Sequence, residues 1–239
     1  MRKLLVSVTL VLLTGFTGQH HTAHPSTSVI IAERGTFSSG SSSATPTKVS
    51  FRRLFAAESG AGRWNPCEPV LWVMNAKGSN PARITQVKRA VRQIRKATGL
   101  NIYYDGLVSP EEIKNLPSGV ITVSFVSPKI MEEDILGYAG VSAQAPELGG
   151  WIARADITIA LHTSFHPRFG YVPVLLHEFG HAVGLDHSDD ESAVMYAYEN
   201  GVGSFNKSDL AGLRAVGASH GCPVTVTPVT SIPEVPSGS

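Results

Sequence analysis

The chain has 239 residues, 42% hydrophobic and 16% charged, enough to bury one sizeable core and with no sign of a second. Lys and Arg number 20 against 19 Asp and Glu, so the formal charge of +1 supplies no long-range field to recruit nucleic acid or an acidic membrane. No internal repeat of useful length is evident, and no span beyond the N-terminus is apolar enough to cross a bilayer.

Arg2 and Lys3 precede an apolar run over residues 4–13, and small residues follow up to Gly18. Residues 1–18 therefore read as a signal peptide, with an uncleaved anchor as the competing view. A secreted or extracellular protein is expected, with cell-surface association left open and no stable membrane insertion after cleavage. Residues 19–63 turn to Ser, Thr, Gly and His, with Ser-rich low complexity at 38–43, and read as a largely disordered propeptide or linker. Arg52-Arg53 is a basic pair that could serve as a processing site. His20, His21 and His24 read as solvent-exposed side chains rather than a metal cluster.

A folded unit is expected over residues 64–222. Residues 70–75 form an apolar strand candidate ahead of the turn-forming Gly78-Ser79-Asn80-Pro81. A helix is expected over 82–98: Ile84, Val87, Val91 and Ile94 share a stripe, basic residues occupy the other faces, and Gly99 supplies the stop. Strands are expected at 100–104, 120–126, 138–143 and 151–161. A second helix begins near Val172, with Pro173 tolerated in its first turn.

That second helix carries His177-Glu178-Phe179-Gly180-His181-Ala182-Val183-Gly184-Leu185-Asp186-His187. On a helix, His177 and His181 lie one turn apart on one face and both imidazoles can reach one metal ion. Glu178 stands beside the first ligand, where a general base would act on a water at the metal. Gly184 can take the backbone conformation that ends a helix, so that His187 turns back as a third ligand. Three protein ligands leave a position open, which is the catalytic type of zinc site.

This run resembles the metzincin metallopeptidases, whose signature His-Glu-x-x-His-x-x-Gly-x-x-His is met at every fixed position. Phe179, Gly180, Ala182, Leu185, Asp186 and Ser188, with Val194-Met195-Tyr196 downstream, make it similar to the matrixin branch. The resemblance implies an α+β fold: a twisted mixed sheet with two helices, an active-site helix, a Met-turn and a C-terminal helix. It also implies a zinc-dependent endopeptidase acting on protein or peptide, with Met195 as a hydrophobic floor under one catalytic Zn2+. By the same resemblance residues 138–144 would be the sheet edge beside the cleft. Ala197 departs from the usual Met-Tyr-Pro and alters the wall of the adjoining pocket. Tyr196 and Tyr198 are left without a role.

After His187 the acidic run Asp189-Asp190-Glu191 is a solvated turn or, alternatively, a Ca2+ site. Asn206 and Asp209 form a capping-box-like start to a last helix that ends near Gly217. Cys67 and Cys222 lie at the two ends of the folded unit, and a disulfide clasp is expected between them; unlinked thiols, or Cys67 as a thiolate that blocks zinc in a precursor, are the alternatives. His162 and His166 read as polar surface rather than a second zinc site. Residues 223–239 are a disordered Pro- and Thr-rich tail. A monomer is expected. The rival to an enzyme is a secreted binding or adhesion module that keeps the fold and cleaves nothing.

Overall fold

Strands and helices follow the sequence patterns closely. The computed structural model describes residues 26–29, 49, 51–55, 62–132, 135–144, 151–161, 166 and 168–222. In chain order these form β1 (Ser26–Val29), β2 (Val70–Asn75), α1 (Pro81–Thr98), β3 (Ile102–Val108), α2 (Pro110–Ile113), β4 (Val120–Val126), β5 (Gly137–Gln144), β6 (Ile152–Ala160), α3 (Val172–Ala182) and α4 (Lys207–Val216). One mixed sheet has the order β1-β5-β6-β4-β2-β3, in which β3, β2, β4 and β6 run parallel and β5 pairs antiparallel with both of its neighbours, β6 and β1. Helices separate only the first strands, β4, β5 and β6 follow one another, and the sheet is antiparallel at the β5 edge, so the fold class is α+β.

Helix α1 forms because Asn80 accepts from Arg83 N at 2.8 Å, Pro81 opens the first turn, and Gly99 at φ 74° closes the last. It buries Val87, Ala90, Val91 and Ile94 and packs on α3 and α4. β4 has a neighbour on each side and is almost continuously buried, as its run Val-Ile-Thr-Val-Ser-Phe-Val suggests. β3 begins two residues later than expected and runs on to Val108. Register slips there by one residue, Trp72 facing Tyr104 and Met74 facing Leu107, and Gly106 at φ 106° accommodates the extra residue as a bulge. Short α2, with a capping box from Ser109 and Glu112, lies in a stretch that the sequence patterns left as connection.

Two segments ahead of Trp64 are ordered against the domain. β1 pairs antiparallel with β5, from Ser26 opposite Gln144 to Val29 opposite Val141, so this half of β5 is covered rather than an edge. Residues 51–55 lie along the loop after α3: Arg53 bridges Leu185, Leu54 N donates to Gly184 O at 2.9 Å, and Leu54 and Phe55 are buried. The packed unit thus extends upstream of the expected start at residue 64. The signal-peptide reading, the histidines at 20, 21 and 24, His162 and the tail from 223 lie outside the described residues. Among the described residues no helix is long and apolar enough to cross a membrane.

Cys67 and Cys222 are joined in a disulfide that spans 155 residues, their Cα atoms 5.6 Å apart.

Candidate metal centre

Helix α3 is buried along its whole length, and its packing against α1, β5 and β6 fixes where its polar residues point. His177 and His181 face the same way, with ring centroids 4.6 Å apart. The helix ends at Ala182; Gly184 takes φ 108°, where a side chain would also meet Gly62 O at 2.5 Å. The chain then folds back and brings the His187 ring to 5.3 Å from His177 and 4.8 Å from His181. One ligand-type nitrogen from each of the three rings lies within 4.8 Å of the others. Among the described residues no other set of three His, Cys, Asp or Glu side chains converges in this way.

The hydrogen bonds fix which nitrogen each of the first two rings presents. His177 Nδ1 lies 2.7 Å from Val194 O, and His181 Nδ1 lies 2.8 Å from Leu185 O. A carbonyl only accepts, so both Nδ1 atoms carry the proton and both Nε2 atoms are bare lone pairs. Those two lone pairs face each other at 3.0 Å, which is repulsive unless a cation lies between them. Zinc bonds of roughly 2.0–2.1 Å at a tetrahedral angle would set two such nitrogens roughly 3.3 Å apart, so the donor set fits this ion. Burial, then the neighbouring His187, lowers the His177 pKa to about 3; burial followed by the other two rings holds His181 well below the imidazole range. Both rings are therefore neutral, as a metal requires.

Glu178 is fully buried, and neither carboxylate oxygen has a hydrogen-bond partner among the described residues. Burial pushes its carboxyl well above the usual range. Gly137, the first residue of β5, abuts it: a Cβ there would stand 2.8 Å from Glu178 Oε1 and 3.0 Å from Val174 Cγ1.

Met195 lies under the helix, where a Cβ on Gly180 would run into its Sδ atom. The turn carrying Met195 is tied to the site on both sides. Val194 O receives the His177 ring, and Ser188 N donates to Met195 O at 2.7 Å. Asp209, buried on α4, accepts from Val194 N at 2.8 Å, Met195 N at 3.1 Å and Asn206 N at 3.0 Å. Burial raises the Asp209 carboxyl while these backbone donors pull it back. The sequence pattern identified Asp209 only as half of a capping box, which it also is; its hold on the Met195 turn had no sequence signal beyond an acidic residue on a face destined for burial.

The remaining candidates are placed as follows. Tyr196 and Tyr198 line a cleft beside His177 with Val174, Val194 and Glu199, and the Tyr196 hydroxyl points to Glu191 Oε1 at 3.4 Å. Asp190 accepts from Ser192 and Asn206, and Asp189 pairs with Arg52. His166 stacks on Phe169, away from any second metal-type cluster among the described residues.

The matrixin family model matches residues 111–216, a span that holds β4, β5, β6, the whole histidine run, Met195 and α4. Among solved structures the chain is similar to high choriolytic enzyme 1, a hatching-enzyme zinc protease from Oryzias latipes (medaka fish). The identity is 14%, over 69% of this chain and 98% of that one, with a TM-score of 0.41. The match to the matrixin model thus falls on the stretch that holds the converged trio of imidazoles, and over residues 111–216 the chain is similar to that peptidase family.

Proposed function

We propose that this is a secreted, monomeric endopeptidase that cleaves protein or peptide substrates, with His177, His181 and His187 as ligands of one zinc ion and Glu178 as general base. The observation that carries this reading is a buried carboxylate with no hydrogen-bond partner among the described residues, beside three converged imidazoles. A carboxylate left without partners in the interior is destabilising, and such groups are kept where chemistry needs them.

When bound, zinc supplies Lewis acidity toward a water and the scissile carbonyl. Glu178 removes the proton from the attacking water and hands it to the leaving amine. His177 and His181 keep their Nε2 lone pairs on target because Val194 O and Leu185 O hold the opposite ring edges. Met195 serves as the floor that keeps α3 and the His177 ring in register. Substrate main chain is assigned to the Gly137 end of β5, which lies against Glu178; Ser26–Val29 already pairs with the other end of that strand. The apolar run near the N-terminus and the disulfide support secretion into an oxidising compartment.

The test is cleavage of an unfolded protein by the zinc-loaded full chain, with and without chelator, beside Glu178→Ala with its zinc content measured. We expect chelator-sensitive cleavage and a rate roughly 10²–10⁴-fold lower in the zinc-retaining variant. Undiminished cleavage by that variant would remove Glu178 from the mechanism. Stoichiometric zinc with no cleavage by the wild type would favour a binding module.

A further inference from the structure

We propose that Arg52 is a positioning residue for the third metal ligand, and that residues 51–55 are a working part of the site rather than a segment to be discarded. The proposal rests on the assignment of His187 as a zinc ligand.

The three histidines are not equally supported. His177 and His181 stand on a buried helix, whereas His187 stands on a loop between Leu185 and Ser188 with no helical hydrogen bonds of its own. Residues 51–55 run antiparallel to that loop: Leu54 N donates to Gly184 O at 2.9 Å, and Asp186 N donates to Arg52 O at 3.0 Å. The Arg52 guanidinium then forks over the ligand. Its Nε donates to His187 O at 3.1 Å and its Nη2 to Asp189 Oδ1 at 2.8 Å. One rigid planar group thus pins the carbonyl of the ligand and the residue two places on. On the other side of that carbonyl, Ser188 N is held by Met195 O.

The strap is itself anchored. Leu54 and Phe55 are buried, and Phe51 packs over Gly212 of α4, where a Cβ would lie 3.0 Å from Phe51 Cβ and 2.9 Å from Leu185 Cδ2. Arg52 is nevertheless 55% exposed and Asp189 85% exposed. An exposed ion pair contributes little to folding stability. Its fork is therefore expected to act on the geometry of His187, not on whether the domain folds.

A consequence concerns processing. Cleavage at the basic pair Arg52-Arg53 would cut the strap or release Arg52 from the loop, so an activating cut must fall at or before Phe51.

The experiment compares wild type, Arg52→Ala, Arg52→Lys, Arg53→Ala and His187→Ala in the full chain. It measures zinc affinity by competition with a chelator, the visible spectrum of the Co2+-substituted protein, and the unfolding midpoint of the zinc-free protein. Outer hydrogen bonds to metal ligands are typically worth roughly 10–100-fold in affinity. We expect Arg52→Ala to weaken zinc by about tenfold or more and to alter the Co2+ spectrum. Its zinc-free midpoint should stay unchanged, Arg52→Lys should recover part of the affinity, and Arg53→Ala should behave as wild type. Unaltered affinity and spectrum in Arg52→Ala would overturn the proposal, as would a drop in the zinc-free midpoint that accounts for the weakened binding. If His187→Ala binds zinc as tightly as wild type, the ligand assignment falls first and the proposal with it. An active species whose N-terminus lies after Arg53 would likewise overturn it.

Discussion

Gly137 shows how tightly single residues are specified around Glu178. Its lack of a side chain lets β5 approach the carboxylate, and a methyl group there would stand 2.8 Å from Oε1 and 3.1 Å from Cγ of Glu178. Interior groups are packed too closely to absorb such an approach without moving. The displaced group would be the carboxylate, since the competing atoms belong to it and to Val174. A misplacement of about 1 Å in a catalytic group can cost roughly a hundredfold in rate. Gly137→Ala is therefore expected to lower kcat roughly 10–100-fold while zinc affinity stays within about twofold, because the atoms nearest the added methyl belong to Glu178 and Val174. Steady-state kinetics with zinc titration checks this; unchanged kcat would mean that Glu178 has room to spare. Sequence inspection reached Glu178 through its spacing from His177, but it could not reach Gly137. The two meet only because β5 lies over α3 in the folded sheet.

At the scale of elements, the short turn around Met195 depends on α4 rather than on its own residues. Asp209 takes three backbone donors at the start of that helix, two of them from Val194 and Met195. Each buried donor left unsatisfied costs about 1–3 kcal/mol. Asp209→Ala is expected to destabilise the protein by about 2–4 kcal/mol and to loosen the carbonyl that orients His177, while Asp209→Asn retains an acceptor and loses about half as much. Denaturant midpoints with zinc-affinity measurements would test this; equal stability of wild type and alanine variant would mean that water replaces the carboxylate. The elements that were legible from sequence are those with local signals: α1 from its apolar stripe, Asn80 and Gly99, and α3 from the histidine spacing. β3 was read short because Tyr103 and Tyr104 are exposed and Gly106 looks like a stop, when it is a bulge on an edge strand. Residues 51–55, Phe-Arg-Arg-Leu-Phe, were read as linker together with the Ser-rich stretch before them, and what places them against the domain is pairing with a loop more than a hundred residues away.

For the whole molecule, the disulfide and the metal site are expected to act independently. Cys67 and Cys222 close a loop of 155 residues that contains the entire sheet from β2 onward, α3 and α4. Cross-linking so long a loop restricts the unfolded chain, by about 4–5 kcal/mol in the chain-entropy model and by about 2–5 kcal/mol when native bridges are removed. The folded side of the balance has other ties near the same junction: Trp64 Nε1 donates to Ala182 O at 2.8 Å, and Ile152 N donates to Arg63 O at 2.9 Å. These anchor the start of the domain to the end of α3 and to β6 whether or not the sulfurs are bonded. The Cys67 amide donates to Asn65 Oδ1, within its own turn. The double variant Cys67→Ser/Cys222→Ser should therefore unfold at lower denaturant, by about 2–5 kcal/mol, while its zinc affinity and kcat under native conditions stay within about twofold of wild type. A variant as stable as wild type would show that the packing around Trp64 already restricts the ends. Loss of zinc under conditions where the variant remains folded would show instead that the clasp reaches the site, with Trp64 and the end of α3 as the connection.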